Sequence, residues 1–476
     1  MPFGLRPATA TALLALAGAV PLFAAKAELS GPLRVWASNP RYFADANGRP
    51  VYLTGSHTWN SLQDYAYAEK PAPPPFDFEA YLAFLRERHL NFFRLFLWES
   101  PVNRSALSST TYYRPVAYMR RGPGRAADGL AKFDLSRFDE TFFGRMRDRV
   151  AAAQRAGVYV SVMLFEGFSI TGKGNDGGDP WSAHPFNSLN NVNGIDAGAG
   201  NSVHTLKDAA VTAYQEAYVR KVVDTVNGFD NVLYEITDED TGSPEDTAWQ
   251  YHMIRFVRDY ERTKAKRHPV GMTVQWPNGS DEVLLASPAD WISPGDRLPR
   301  NDGRKVIIND TDHSFYWVAL REQGIEAQRT WVWENLANGN QCLFMDPYLD
   351  PSHDPGRNAP DGYRPDPYWE PLRRAMGLAR LQALKLNLAG MLPHPELSST
   401  AFCLAEPGRE YFAIQPKGGA SFTLDLTAAR SALTAEWFDI TREATVPGEP
   451  VSGGSVQRLR APFAGPATIH LVTARH

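Results

Sequence analysis

The chain has 476 residues, 43% hydrophobic and 21% charged, an ordinary globular balance that excludes wholesale disorder. Its formal net charge is −4, so no basic excess exists to neutralise phosphates, and we expect no nucleic-acid partner. Two cysteines exclude a disulfide-rich scaffold and any multi-cysteine zinc or iron–sulfur site.

The first 27 residues have the pattern of a secretory signal peptide. Arg6 gives a positive start, an apolar run covers residues 11–25, and residues 25–27 (AKA) offer the small side chains that a signal peptidase requires. The run is shorter than the ~20 residues of a membrane span, and no later stretch reaches that length. We therefore expect cleavage rather than an anchor, no membrane span in the mature chain, and a secreted or periplasmic location. There Cys342 and Cys403 could pair if the fold brings them together.

From residue 50 to about residue 350, short apolar runs alternate with longer amphipathic ones. The runs that predict strands are 50–54, 91–97, 158–165, 232–236, 270–276, 290–293, 306–308 and 343–345. The segments that predict helices are 76–89, 133–156, 206–227, 244–267 and 372–387. Near-continuous apolar runs are typical of buried parallel strands, so the pattern predicts an α/β fold, a (β/α)8 TIM barrel. The alternative is an open doubly wound sheet, although no glycine-rich phosphate loop follows the first strand.

After residue 388 the pattern changes to short alternating segments separated by turns. Strand character is found at 411–415, 421–426, 434–438 and 467–472, with glycine pairs at 418–419 and 453–454. The sequence thus predicts a signal peptide over 1–27, a catalytic barrel over 28–388 and a small all-β sandwich domain over 389–476.

The most acidic strand end is that of residues 231–240 (NVLYEITDED). On a strand, Glu235, Thr237 and Glu239 share one face, which places Glu239 at the rim of a barrel. The like charges of Asp238 and Asp240 favour the protonated form that a general acid needs. The alternative interpretation is an acidic loop that caps a helix.

A second acidic segment, residues 309–313 (NDTDH), follows the seventh predicted strand. Asp310 and Asp312 share strand parity, and His313 could orient one of them or touch a substrate hydroxyl; alternatively, the aspartates satisfy turn amides. Cleavage of a glycosidic bond requires one acid that protonates the leaving oxygen and a second carboxylate that attacks the anomeric carbon or activates water. We expect Glu239 as the acid and Asp312, which lies further out along the strand, or Asp310 as the second carboxylate.

Other polar and aromatic residues follow the predicted strands and are candidates for substrate binding. They are His57, Trp59, Arg94, Trp98, Glu99, Glu166, Asp238, Gln275, Trp276, His313 and Asp346. Aromatic faces can stack on sugar rings, and Arg94 either holds a substrate group or forms an ion pair inside the barrel. No His-x-x-x-His or Cys pair supports a metal site, so we expect no metal and no cofactor; the weaker alternative is calcium in the Asp-rich loop 346–366.

At these residues the chain resembles a known family, the apiosidase-like barrels related to clan A glycoside hydrolases, which often carry a C-terminal domain labelled collagen-binding. The motifs that carry the resemblance are YFADANGRP (42–50), FRL (93–95), YEITDE (234–239), NDTDH (309–313), FMDPY (344–348) and ELSST (396–400). By this resemblance Glu239 takes the acid/base position at the end of the fourth strand. Clan A members usually have Asn before this Glu and a Glu nucleophile on the seventh strand; here Asp238 precedes it, and Asp310 and Asp312 are the candidates.

The sequence therefore predicts a secreted glycoside hydrolase that cleaves O-glycosidic bonds in a poly- or oligosaccharide by carboxylate acid/base catalysis. The alternative is a non-catalytic carbohydrate- or matrix-binding protein on a degenerate barrel, which needs only an aromatic platform. A polysaccharide lyase, which needs a Tyr or His base, is a third possibility.

Overall fold

The computed structural model describes residues 29–67, 75–104, 110–170, 179–198, 200, 202–311, 324–346, 348 and 366–473. The predicted signal peptide lies outside the described residues. Within the described part of the chain, every helix is too short or too polar to cross a membrane.

Eight parallel strands close into a barrel. They are β1 (Thr54–Thr58), β2 (Phe92–Leu95), β3 (Tyr159–Glu166), β4 (Val232–Asp238), β5 (Val270–Thr273), β6 (Trp291–Ser293), β7 (Val306–Asp310) and β8 (Gln341–Met345). Neighbours in the barrel follow chain order, and β8 pairs with β1. This closure confirms the predicted TIM barrel and rules out the open doubly wound sheet.

In the part of the chain that the structure describes, seven α-helices follow strands of the barrel. They are α1 (Phe78–Glu87), α2 (Glu140–Ala156), α3 (Ala209–Val226), α4 (Pro244–Glu261), α5 (Asp281–Ala286), α6 (Gly324–Ala337) and α7 (Glu370–Ala383). Helices α1 to α5 follow strands β1 to β5 in turn, whereas α6 follows β7 and α7 follows β8. The side chains of Asp77, Asp139, Asp208, Ser243 and Ser280 accept hydrogen bonds from first-turn amides. Such caps begin helices at the end of the barrel where the strands finish.

The prediction of one helix over 133–156 is wrong in its first part. Residues Ala131–Phe138 form a strand that pairs antiparallel with Tyr118–Arg125, and α2 begins only after Asp139. Phe133 and Leu135 are buried at a spacing of two, which is the period of a strand. Two further strands of this insertion between β2 and α2, Val102–Arg104 and Thr110–Arg114, form a three-stranded antiparallel sheet with Asp64–Tyr67, which lies between β1 and α1.

The first barrel strand begins later than the apolar run over 50–54 suggests. Pro50–Val51 pairs with Phe43–Ala44 in a small antiparallel sheet that also contains Arg34–Val35. Strand β1 reads TGSHT and is buried along its whole length. Its side chains are polar because the barrel interior holds a polar cluster, so an apolar pattern does not reveal it.

The chain after α7 forms an all-β domain of eight strands, which confirms the predicted sandwich. The strands are β9 (Leu392–Pro393), β10 (Cys403–Glu406), β11 (Glu410–Gln415), β12 (Phe422–Asp425), β13 (Leu433–Asp439), β14 (Ala444–Val451), β15 (Val456–Leu459) and β16 (Ala467–Thr473). One sheet has the order β9-β10-β11-β16-β13-β14, and β12 pairs with β15. The boundary at residue 388 stays a prediction.

Helix α6 joins the barrel to the sandwich. Arg329 donates hydrogen bonds to the carbonyl oxygens of Ile440 and Thr441, the latter at 2.9 Å. The ring of Trp333 packs on Phe438, with the ring centroids 5.0 Å apart. The two cysteines do not pair: Cys342 and Cys403 are free thiols, buried in two different hydrophobic cores.

Candidate active site

The predicted site residues that the structure describes lie on barrel strands or directly after their carboxyl ends, the end of the barrel that carries the rim. His57 and Trp59 lie at the end of β1, Arg94 and Trp98 at β2, Glu166 at β3, Asp238 and Glu239 at β4, Gln275 and Trp276 at β5, Asp310 at β7 and Asp346 at β8. Two predicted residues, Asp312 and His313, lie outside the described residues.

Arg94 is the centre of a polar cluster inside the barrel. It donates two hydrogen bonds of 2.8 Å to the carboxylate of Glu235 on β4. Its Nη1 atom lies 3.0 Å from Oδ2 of Asp310 and 3.9 Å from Oδ2 of Asp238. His57 Nε2 lies 3.4 Å from the same Asp310 oxygen. Of the two interpretations of Arg94, the described contacts favour the ion pair inside the barrel.

The electrostatics of this cluster keep the arginine charged. Burial lowers the pKa of Arg94, but the carboxylates of Glu235, Asp238 and Asp310 outweigh it and raise the pKa above its usual range. Asp238 and Asp310 approach the same guanidinium nitrogen, so Arg94 brings these two carboxylates of β4 and β7 close together. The side chain of Asp310 is fully buried.

Glu239 follows β4 and is half-buried, with its backbone in the left-handed region at φ 52°. Glutamate rarely adopts this conformation, so neighbouring contacts must hold it. Gly167 donates to the carbonyl of Asp238 at 2.7 Å, and Trp276 donates to the carbonyl of Asp240 at 2.7 Å. A Cβ on Gly167 would lie 2.3 Å from the carbonyl oxygen of Glu239, so only glycine allows this close approach.

Glu166 and Glu99 form a reciprocal pair beneath the rim. The Glu99 amide donates to Glu166 Oε1 and the Glu166 amide donates to Glu99 Oε2, both at 3.0 Å. Burial and the charge of Glu99 raise the pKa of Glu166 to about 8, although Ser169 bonds to it. The pKa of the buried Glu166 carboxyl therefore lies above neutral pH.

Glu99 has the opposite character, because two histidines face it. Burial would raise the pKa of Glu99, but the charge of His204 and contacts with both His204 and His184 lower it to about 2. His204 Nε2 lies 3.1 Å from Oε2, and His184 Nε2 lies 3.6 Å from Oε1. Glu99 also lines a cavity of about 20 Å³, enough for roughly one water molecule.

Gln275 and Asp346 are occupied by protein partners. Gln275 donates to Oδ2 of Asp246 at 2.8 Å, and burial, with the charge of the adjacent Asp240, raises the pKa of Asp246 well above its usual range. Asp346 is fully buried against the guanidinium of Arg373, whose Nε lies 2.9 Å from Oδ2.

The tryptophans of the rim differ in exposure. Trp98 is buried, stacks on Tyr113 with ring centroids 4.5 Å apart, and donates its indole N–H to the carbonyl of Trp59. Trp59 is half-buried. Trp276, next to the Glu239 segment, is 54% exposed. Of these rings, Trp276 offers the most open face for a sugar.

Several residues of these clusters were not selected from the sequence, among them Glu235 as the partner of Arg94, and His204 and Asp246 as partners of Asp240. Glu235 carried a signal, because it shares strand parity with Glu239. His204 lies in a long loop without periodicity, and Asp246 lies in the first turn of α4. Among the described residues, no group of three or more His, Cys, Asp or Glu side chains could hold a metal ion.

Comparisons with known proteins point to the same fold. Residues 106–286 match a family model described as a domain of unknown function, DUF6298. No curated protein matches the chain. A solved structure titled glycoside hydrolase is 13% identical, with 94% of this chain and 98% of that chain covered and a TM-score of 0.59. A glycoside hydrolase family 5 structure from Bacteroides vulgatus is 12% identical, with 93% of each chain covered and a TM-score of 0.62.

Proposed function

We propose that this protein is a secreted or periplasmic glycoside hydrolase that cleaves O-glycosidic bonds in a poly- or oligosaccharide, with Glu239 as the proton donor. Both solved structures named above are glycoside hydrolases that match this chain across barrel and sandwich. The motifs shared with apiosidase-like barrels support the same class of activity. The sandwich, in this proposal, supports the barrel through α6.

The observation that carries the proposal is the position of Glu239. It is the first residue after β4, half-buried, with its backbone held in the left-handed region at the rim. In this proposal the Glu239 carboxyl group protonates the leaving oxygen of the substrate. The exposed ring of Trp276 beside it supplies an apolar face for a sugar.

The second carboxylate of the proposal is Asp312, which follows β7 in the sequence, or Asp310, the last residue of β7. Asp310 is fully buried against Arg94, which keeps a negative charge stable there. Asp312 lies two residues further along the chain and is our first choice. A spacing of about 5 Å from the acid would give retention of the anomeric configuration, and roughly 6.5–9.5 Å would give inversion.

The test is to screen the purified protein against a panel of neutral and acidic polysaccharides, with products analysed by NMR. Glu239→Gln should lower turnover by about 10²- to 10⁴-fold, the usual share of a general acid, while ligand binding and folding stay near wild type. Glu245→Gln is the control. Glu245 is an exposed carboxylate in the first turn of α4, and it pairs with Lys207. Unchanged turnover in Glu239→Gln would reject the role of Glu239.

The two aspartates are separated by a rescue experiment. If Asp312 attacks the anomeric carbon, Asp312→Ala should lose turnover and regain it with azide, which attacks in its place to give a glycosyl azide. Asp310→Ala should show no such rescue, and the opposite pattern would assign the role to Asp310.

A second candidate is a non-catalytic carbohydrate-binding protein, which the exposed face of Trp276 favours. Binding of an oligosaccharide by the wild-type protein with no product over long incubation would support this alternative and reject hydrolysis.

A further inference from the structure

His204, in the loop between β3 and α3, is a buried histidine held between two carboxylates. Its side chain is 1% exposed. Nε2 lies 3.1 Å from Oε2 of Glu99, and Nδ1 lies 3.0 Å from Oδ2 of Asp240. The two acids come from different strand ends, after β2 and after β4, so the imidazole bridges two separate parts of the rim.

The ring cannot move away from this position, because its surroundings fix it. It stacks on Trp249 of α4, with centroids 4.3 Å apart and planes at 10°. Gln215 of α3 accepts the indole N–H of Trp249 at 2.9 Å and donates to the carbonyl of Val203 at 2.8 Å. The loop that carries His204 is therefore tied to both helices.

Asp240 directly follows Glu239, so contacts that hold Asp240 in place also restrict the backbone of Glu239. The Asp240 carbonyl accepts from Trp276 at 2.7 Å, and its Oδ1 accepts from Thr241 at 3.0 Å. Glu239 itself is at φ 52°, a conformation that a glutamate does not adopt without support from its neighbours.

The segment from Asp238 to Asp240 thus has a cation at each end: Arg94 lies 3.9 Å from Asp238, and His204 lies 3.0 Å from Asp240. We propose that His204 is a positioning residue for Glu239, because its ion pair with Asp240 fixes the strained Glu239 backbone at the rim. This inference rests on the proposed function, since it assigns the support of the same proton donor.

The charge of His204 agrees with this role. Burial lowers the pKa of His204, but Asp240 and Glu99 outweigh it and raise the pKa well above its usual range. His184 faces Glu99 from another side, where burial lowers its own pKa. The contacts of 3.1 Å with Glu99 and 3.0 Å with Asp240 therefore favour the protonated imidazole.

The chain offers a matched control in His184. It is buried like His204, its Nε2 lies 3.6 Å from the same Glu99, and it stacks on Trp181. Among the described residues, however, His184 makes no ion pair with Asp240. His184→Gln should therefore disturb Glu99 and the local packing without releasing the Glu239 segment.

The experiment compares His204→Gln with His184→Gln by crystal structure and by kinetics on a substrate found in the polysaccharide screen. In His204→Gln we expect the Glu239 φ angle to leave the left-handed region and kcat to fall about 100-fold, as a small misplacement of a catalytic group does. KM should change by less than about threefold, since the loss concerns the transition state. Asp240→Asn, which keeps the side-chain volume, breaks the same ion pair by a second route if His204→Gln does not fold.

A folded His204→Gln or Asp240→Asn protein with an unchanged Glu239 backbone would overturn the inference, as would equal losses of kcat in His204→Gln and His184→Gln. Failure of the proposed function would look different, because the wild-type protein would then turn over no glycan. In that case the crystal structures alone still decide whether His204 holds the segment.

Discussion

The two clusters that flank Glu239 are built in different ways. The Arg94 cluster lies inside the barrel, and its partners Glu235 and Asp310 lie on strands β4 and β7. The His204 cluster lies under the loops, and its partners Glu99 and Asp240 are residues that follow strands. Both put a cation between carboxylates, yet one is framed by barrel strands and the other by loop and helix contacts.

This difference indicates which cluster stabilises the fold and which one sets the geometry of the site. Strand positions are fixed by the hydrogen bonding of the closed barrel, so the Arg94 cluster should matter most for folding. Loop positions depend on side-chain contacts and on single glycines, so the His204 cluster should matter most for the geometry of Glu239. The predictions below test this contrast.

The largest effect is expected for Arg94→Met, which leaves Glu235 and Asp310 buried without their cation. Breaking a buried ion pair in this way costs about 3–5 kcal/mol of unfolding free energy. Urea denaturation followed by circular dichroism measures it. Arg94→Lys keeps the charge but loses the two-pronged contact with Glu235, so its loss should be smaller. A wild-type midpoint in Arg94→Met would show that the cluster does not support the barrel.

A smaller loss is expected for Gly167→Ala, which places a methyl group 2.3 Å from the Glu239 carbonyl and 2.7 Å from Asp240 Cα. The loop must shift, at a cost of about 1–3 kcal/mol. Gly144→Ala in α2 is the control, because a Cβ there meets nothing within 4 Å. Replacing a glycine inside a helix by alanine should stabilise the fold by about 0.5–1 kcal/mol. Thermal unfolding should therefore move in opposite directions in the two variants; a parallel shift would argue against tight packing at Gly167.

The paired carboxyl groups of Glu166 and Glu99, next to the His204 cluster, should also affect the pH dependence of the unfolding free energy. Glu166 has a pKa of about 8 in the folded protein and an ordinary value of 4.5, so between these values only the folded state binds the proton. Stability then falls as pH rises through this window, by up to about 1.4 kcal/mol per pH unit from this group. The pKa of Glu99 is about 2, so its contribution is lost only below pH 4.5, outside the window.

Glu166→Gln removes this titration, and its stability should therefore fall less steeply than that of the wild type between pH 5 and pH 8. His204 and Asp246 still titrate in the variant, so some slope remains. Chemical denaturation at four pH values gives the comparison. Identical slopes would mean that Glu166 is ionised in the folded protein.

The smallest effect on folding is expected for Trp276→Ala, because the ring is 54% exposed. The unfolding free energy should change by less than about 0.5 kcal/mol, as at other surface positions. Affinity for an oligosaccharide that the protein binds should fall by up to about tenfold, the equivalent of one lost aromatic contact. Calorimetric titration measures it, and an unchanged affinity would remove Trp276 from the sugar-binding surface.

Much of the fold could be predicted from the sequence, because apolar strands and amphipathic helices leave distinct periods. Both ends of strand β3 were predicted to within a few residues, and helix α4 begins at the predicted residue. The failures have a physical cause. Strand β1 is buried yet polar, and residues 131–138 alternate with period two beside a helix, so a search for apolar runs or helical spacing misreads both.

Of the candidate site, the sequence located mainly residues that lie on strands or just after them. Parity linked Glu235 to Glu239, and the strand ends identified most of the rim. His204 could not be found, because its partners Glu99 and Asp240 are distant in sequence and meet it only through folded loops. The same holds for the contrast between Glu99 and Glu166, since their opposite pKa shifts depend on which of them the histidines face.

The contact of α6 with the sandwich has a consequence for how the molecule comes apart. Arg329 is bound to Thr441 and Glu443, and the ring of Trp333 packs against Phe438. A chain shortened after residue 388 would expose that indole to water and remove the acceptors that Ile440, Thr441 and Glu443 offer to the guanidinium. The isolated barrel should then aggregate readily and unfold more easily. In the whole protein, heating should give a single calorimetric unfolding peak rather than two.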